Sequence, residues 1–176
     1  MKLRPLELKD AEGMLEWMKD PDINRFFRFD ADEMTIEDVN SFIKNAAEEF
    51  RKGTTRHYAV ADAEDVYLGT ISLKNIDLQA QNAEYAISLR SCAQGKGVGM
   101  EATKQILKIA FEELGLERVY LNVLSENTRA ARLYEKAGFV CEGEFRKHLY
   151  LKGKLCSLKW YGMLKEEYEG SFGEEL

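Results

Sequence analysis

Gln94-Gly95-Lys96-Gly97-Val98-Gly99 stands between a strand-like run, Ala83 to Leu89, and a helix-like run from Met100 to Leu114. Glycines at three alternate positions let the backbone turn tightly and bring several N–H groups toward one point. A helix starting there adds the unpaired amides of its first turn and the positive end of its dipole. Together these make a phosphate-binding element. On the loop alone, a flexible turn with no ligand remains an alternative.

The neighbouring residues sort the phosphate ligands. A Walker loop needs a serine or threonine after Gly-Lys, and none follows here, which argues against a nucleotide triphosphatase. Gly97-Val98-Gly99-Met100-Glu101-Ala102 does satisfy the dinucleotide pattern G-x-G-x-x-A. That fingerprint usually opens its domain, however, whereas half of this chain comes first. The next strand should also carry an acid for the ribose, yet its interior polar residue is Asn122.

The 176 residues suit one domain with an ordinary core, and 45% hydrophobic residues is a globular proportion. No apolar run approaches a membrane span and the N-terminus lacks a signal-like segment, so a cytoplasmic protein without a membrane partner is expected. A net charge of −6 with no basic stripe argues against nucleic acid. Cys92, Cys141, Cys156, His57 and His148 complete no metal-ligand spacing, and no metal is expected.

Outward from the loop, Lys2 to Leu8 reads as a strand and Asp10 as the cap of a helix carrying Met14, Leu15, Trp17 and Met18. The stretch Asp20 to Asp32 is irregular and aromatic. Thr35 and Asp38 form a capping box for a helix reaching about Lys52. His57–Ala61 and Val66–Leu73 read as a hairpin, Arg118–Leu124 as a strand, and Phe139–Leu149 with Leu155–Lys165 as two final strands. The expected organisation is one domain over 1–165 with a frayed acidic tail over 166–176, which includes Glu174 and Glu175. Antiparallel strands followed by one strand–loop–helix–strand–helix unit imply a mixed α/β sheet.

A second constellation is Asn127-Thr128-Arg129-Ala130-Ala131-Arg132-Leu133-Tyr134-Glu135-Lys136-Ala137-Gly138-Phe139. On a helix Asn127, Ala130, Ala131 and Tyr134 form one stripe, with a polar cap at one end, a phenol at the other and two methyl groups between. An extended ligand could lie along it. Equally, the stripe could pack on the sheet with Tyr134 an ordinary half-buried aromatic.

The pair, a Q-x-x-G-x-G loop followed by N-x-x-A-x-x-L-Y-x-K-x-G-F, resembles the GNAT N-acetyltransferase superfamily over about residues 83–140. Within it the chain looks most like the ribosomal-protein alanine and spermidine N-acetyltransferase branch. The resemblance implies a mostly antiparallel central sheet with a splayed parallel strand pair flanked by helices. It implies acetyl-CoA as co-substrate, its pyrophosphate on Gln94, Gly95, Lys96, Gly97, Val98 and Gly99, and its pantetheine arm against Ile87, Ser88 and Leu89. By the same resemblance Asn127 stands beside the arm and Tyr134 faces the thiol. The acceptor implied is a primary amine on a peptide N-terminus, a polyamine or an amino sugar; a homodimeric state is left open. A catalytically inactive acyl-CoA sensor is the alternative reading.

The implied reaction is attack of the amine on the thioester. Amines arrive largely as ammonium, since reference pKa values are ~8 for an α-amino group and ~10.4 for a lysine-like one. Glu84, on the strand where this family often supplies a carboxylate, is the candidate base; its alternative is a salt-bridged surface acid. Tyr134 is the candidate donor to the leaving thiolate. With a thiol near ~8.5 and a phenol near ~10, full proton transfer is uphill by roughly 2 kcal/mol, so hydrogen bonding to the developing charge is expected first. The segment Trp17 to Glu33, rich in aromatics and acids, is the candidate acceptor region, with His148 a second.

Overall fold

A computed structural model describes residues 1–172. The strands are β1 Lys2–Pro5, β2 Arg56–Ala61, β3 Tyr67–Asp77, β4 Asn82–Leu89, β5 Arg118–Leu124, β6 Val140–Leu151 and β7 Lys154–Leu164. The helices are α1 Ala11–Lys19, α2 Pro21–Asn24, α3 Ile36–Lys52, α4 Val98–Lys108, α5 Thr128–Lys136 and α6 Lys165–Phe172. All seven strands join one sheet in the order β1-β2-β3-β4-β5-β7-β6. Only β4 and β5 run parallel, as the mixed-sheet expectation requires.

Side chains alternate across this sheet and feed two cores. Ile71, Leu73, Tyr85, Val119, Leu121, Tyr161 and Met163 point to the face covered by α4, where Ile106, Leu107, Ala110 and Phe111 meet them. Ala59 and Tyr67 point to the other face, against Met14, Trp17 and Met18 of α1 and Val39 and Ile43 of α3. Thr35 caps α3 through the expected box with Asp38, and Gly53 closes it with a left-handed φ of 73°.

Several boundaries differ from expectation. β1 ends at Pro5, because a 3₁₀ turn over Leu8–Asp10 follows. Asp10 makes no side-chain cap to α1. Its carboxylate, 1% exposed, instead takes both Nη groups of Arg4 at 2.8 Å and the Glu7 N–H at 2.9 Å. The helix from the glycine loop passes into a π-helical turn, Ile109–Glu113. Residues expected to fray form α6 as far as Phe172; Glu174 and Glu175 lie outside the described residues. Tyr168 anchors that helix, its ring stacked on Phe111 at 4.9 Å and its hydroxyl donating to Glu112 at 2.6 Å. No helix among the described residues is long and apolar enough to cross a membrane.

Two stability predictions follow from this packing. Arg4→Leu strands the buried Asp10 carboxylate and should cost about 3 kcal/mol in urea unfolding, with part recovered by adding Asp10→Leu. Burial also raises the phenols of Tyr67, Tyr85, Tyr134, Tyr161 and Tyr168. The unfolded chain releases these protons near pH ~10 while the folded chain still holds them, so stability is full below that value and falls as pH rises past it. Thermal unfolding followed across that range should show Tm dropping together with tyrosinate absorbance.

Candidate active site

β4 and β5 pair over only three rungs, Asn82–Arg118, Ala83–Val119 and Glu84–Tyr120, and then part. Each keeps its outer neighbour along its length, β4 on β3 and β5 on β7. The inner backbone edges beyond Glu84 and Tyr120 therefore face a wedge and not a strand. A cleft of about 770 Å³ opens there. It is lined by Ile87, Ser88 and Leu89 at the β4 end, by the glycine loop, by α5, and by the segment around Ile23, Phe26 and Phe27.

The loop is built for donors. Gly95 and Gly97 have φ of 72° and 79°, a region that side chains with a Cβ resist. The first backbone bond of α4 runs from Glu101 N–H to Gly97 at 3.1 Å. No backbone acceptor among the described residues takes the N–H groups from Gly95 to Met100. At Gly99 a Cβ would come within 3.3 Å of Leu133 and 3.4 Å of Leu89, so α4, α5 and the β4 end pack closely. Gln94 fixes the loop to the strand by donating to the Leu89 carbonyl at 3.0 Å.

Of the anticipated residues, Ile87, Ser88, Leu89, Gln94, Gly95, Gly97, Gly99 and Asn127 converge on the cleft. Asn127 is also the cap of α5, its Oδ1 accepting the Ala130 N–H at 3.2 Å. Lys96 and Val98 do not line it: Lys96 is exposed and Val98 packs against the core. The cleft stripe of α5 is Arg129, Ala130, Leu133 and Lys136, rotated by about one residue from the one expected. Ala131 and Tyr134 turn to the core instead. Arg129 and Lys136, outside the expected stripe, line the cleft two turns apart along α5, a spacing legible in the sequence.

Tyr134 is 7% exposed, with its ring against Tyr85 at 5.7 Å and Tyr161 at 6.1 Å. Burial pushes its phenol up to about 12. Its hydroxyl has no hydrogen-bond partner among the described residues. Glu84 stands at the last rung before the strands part and is engaged by Lys74 Nζ at 3.1 Å and Asn75 Nδ2 at 2.9 Å. The salt-bridged alternative thus describes its present contacts. In the aromatic–acidic segment, Asp20 accepts from the Asp22 N–H and from Ser91, and Asp32 accepts from Asn24 at 2.9 Å. Those two acids hold the segment in shape. His148 lies on the exposed β6 edge, its ring 5.2 Å from Phe145. No cluster of His, Cys, Asp or Glu able to hold a metal occurs among the described residues.

An amide-lined bend joined to a wedge between parting parallel strands defines a coenzyme A-dependent acyltransferase site. Residues 1–140 match the acetyltransferase (GNAT) domain, and the chain belongs to that family. It is 36% identical to the putative ribosomal N-acetyltransferase YdaF of Bacillus subtilis over 58% of this chain and 56% of that one. To the probable N-acetyltransferase YjcK of the same organism it is 33% identical over 86% of each chain. The spermidine N-acetyltransferase of Vibrio cholerae, solved with CoA and spermine, superposes with a TM-score of 0.84 at 26% identity, covering 95% of this chain and 96% of that one. Fold, branch, co-substrate and enzyme class therefore stand as the sequence implied: acetyl-CoA supplies the acetyl group and an amine receives it.

Gly97→Ala has room for its methyl group but not the backbone angle, which costs about 1–2 kcal/mol. Calorimetry should show acetyl-CoA binding weakened roughly tenfold, with Tm lowered by roughly 2–8 °C.

Proposed function

We propose that this enzyme acetylates a primary amine through a direct transfer in which the glycine loop, the β4 end and Tyr134 divide the work. The carrying observation is the run of unaccepted N–H groups from Gly95 to Met100 at the mouth of the β4–β5 wedge. Amides in the loop, Lys96 and Val98 included, hold the pyrophosphate through the main chain, which needs no side chain on the lining. Arg129 and Lys136 add positive charge along the same cleft. The unpaired edge of Ile87, Ser88 and Leu89 takes the amides of the pantetheine arm as a strand would, with Asn127 beside it.

The thioester then comes to rest above Tyr134. A phenol at about 12 facing a thiol near ~8.5 makes complete proton transfer uphill by about 5 kcal/mol. Tyr134 therefore serves as a hydrogen-bond donor to the sulfur as negative charge grows on it, and an unpartnered hydroxyl is suited to that. Glu84 is the proton acceptor in this reading, through water. Lys74 and Asn75 occupy two of its roughly four lone-pair sites, which leaves two that water can use. The acceptor classes remain a peptide N-terminus, a polyamine and an amino sugar, and spermidine is the reference compound because named relatives act on it.

Tyr134→Phe should lower kcat by about a hundredfold while the acetyl-CoA Kd stays nearly constant, as measured by thiol release and calorimetry. Equal losses in both would make the residue a wall of the pocket. Because the phenol stays protonated at neutral and mildly alkaline pH, the variant should keep the shape of the pH–rate profile there.

A further inference from the structure

β5 turns Tyr120 and Asn122 to the face opposite α4, and β7 sets Trp160 directly across from Asn122. The Tyr120 and Trp160 rings stack at 6.2 Å, and Phe145 of β6 meets Trp160 at 5.7 Å. This aromatic floor begins at the rung where Glu84 pairs with Tyr120, on the sheet face opposite α4. Arg28, from the segment between α2 and α3, reaches over it and donates through Nη2 to Asn122 Oδ1.

The charges around that contact are unusual for a site meant to hold a polycation. Arg28 forms no ion pair among the described residues; a neutral amide is its hydrogen-bond partner. Glu84, the nearest acid on the strand pair, is committed to Lys74 and Asn75. Asn122 spends its oxygen on Arg28 and so presents its amide hydrogens. The Trp160 indole N–H is buried and has no acceptor among the described residues. Among the described residues, no carboxylate accepts from the Arg28 guanidinium, the Asn122 amide or the Trp160 indole N–H. Arg28 is exposed and Asn122 half-buried, so both are open to an acceptor brought by a ligand, and a guanidinium fork fits planar or tetrahedral oxyanions.

We infer that the acceptor of this enzyme is a primary amine that also carries an anionic group, a carboxylate or a phosphate, which Arg28 and Asn122 grip over the Tyr120–Trp160 floor. This rests on the transfer reading above and narrows its acceptor. A bare polyamine would place a second ammonium beside Arg28, which like-charge repulsion disfavours. Arg28 acts here as a specificity residue and takes no part in the acetyl transfer.

Matched acceptors test it: cadaverine against lysine, which differ by a carboxylate, and glucosamine against glucosamine 6-phosphate, with spermidine alongside. In at least one pair the anionic member should show kcat/KM about tenfold or more higher, chiefly through KM, and the pair that responds tells carboxylate from phosphate. Arg28→Gln should collapse that ratio by raising KM for the anionic member more than it changes kcat, and Arg28→Lys should restore part of it. Equal use of both members of each pair, preference for spermidine, survival of the preference in Arg28→Gln, or transfer to none of these amines by a protein that binds acetyl-CoA would each overturn the inference. Failure to bind acetyl-CoA at all would instead overturn the reading beneath it.

Discussion

Every feature of the site depends on one broken ladder. β4 and β5 exchange backbone hydrogen bonds only as far as Glu84 and Tyr120, yet β4 stays paired to β3 and β5 to β7 on their far sides. The strands cannot close because α4 and α5 both descend on the gap, with Leu133 against Gly99 and Leu89 at its edge. Below it Tyr85, Tyr134 and Phe139 fill the space in edge-on and tilted contacts. What remains is a pair of strand edges whose amides and carbonyls need partners. An extended ligand with peptide-like groups is the natural occupant, since it can replace the missing rungs.

The wedge also carries an electrostatic asymmetry. Its α4–α5 side gathers loop amides, a helix N-terminus, Arg129 and Lys136, all suited to a polyanion. The opposite face of the sheet carries the stacked Tyr120 and Trp160 rings, and in the proposed transfer the amine would approach from there.

Much of this was readable from local chemistry. β5, the Thr35–Asp38 box, the Asn127 cap and the left-handed closures at Gly53, Gly115 and Gly138 are set by residues within a few positions of one another. So are the two loop glycines with positive φ. What escaped the sequence depends on distant partners. Asp10 has the composition of a cap, but Arg4 across the turn makes a stronger, charge-assisted claim on it. α6 looks like a charged tail until Phe111, far back in the chain, supplies the surface on which Tyr168 stacks. On α5, periodicity identified a stripe but not which side of it meets the sheet. Tyr134 went inward because Tyr85 and Tyr161 offer it a ring-lined pocket, and Arg129 and Lys136 were left facing the cleft.

That inward rotation bears on the chemistry. A phenol at the cleft surface would keep an ordinary pKa and exchange its hydrogen bonds freely with water. Buried beneath the wedge, Tyr134 is harder to ionise, yet its hydroxyl is left without a protein partner. Desolvation makes it a worse acid and at the same time a better-directed dipole, since no competing acceptor draws it away. A leaving thiolate does not need a proton at the moment the C–S bond breaks, because its own pKa lies near ~8.5 and water can protonate it afterwards. What it needs is a donor already aimed where charge appears. In the proposed transfer, a buried tyrosine fixed by ring packing would meet that need while staying protonated at neutral pH.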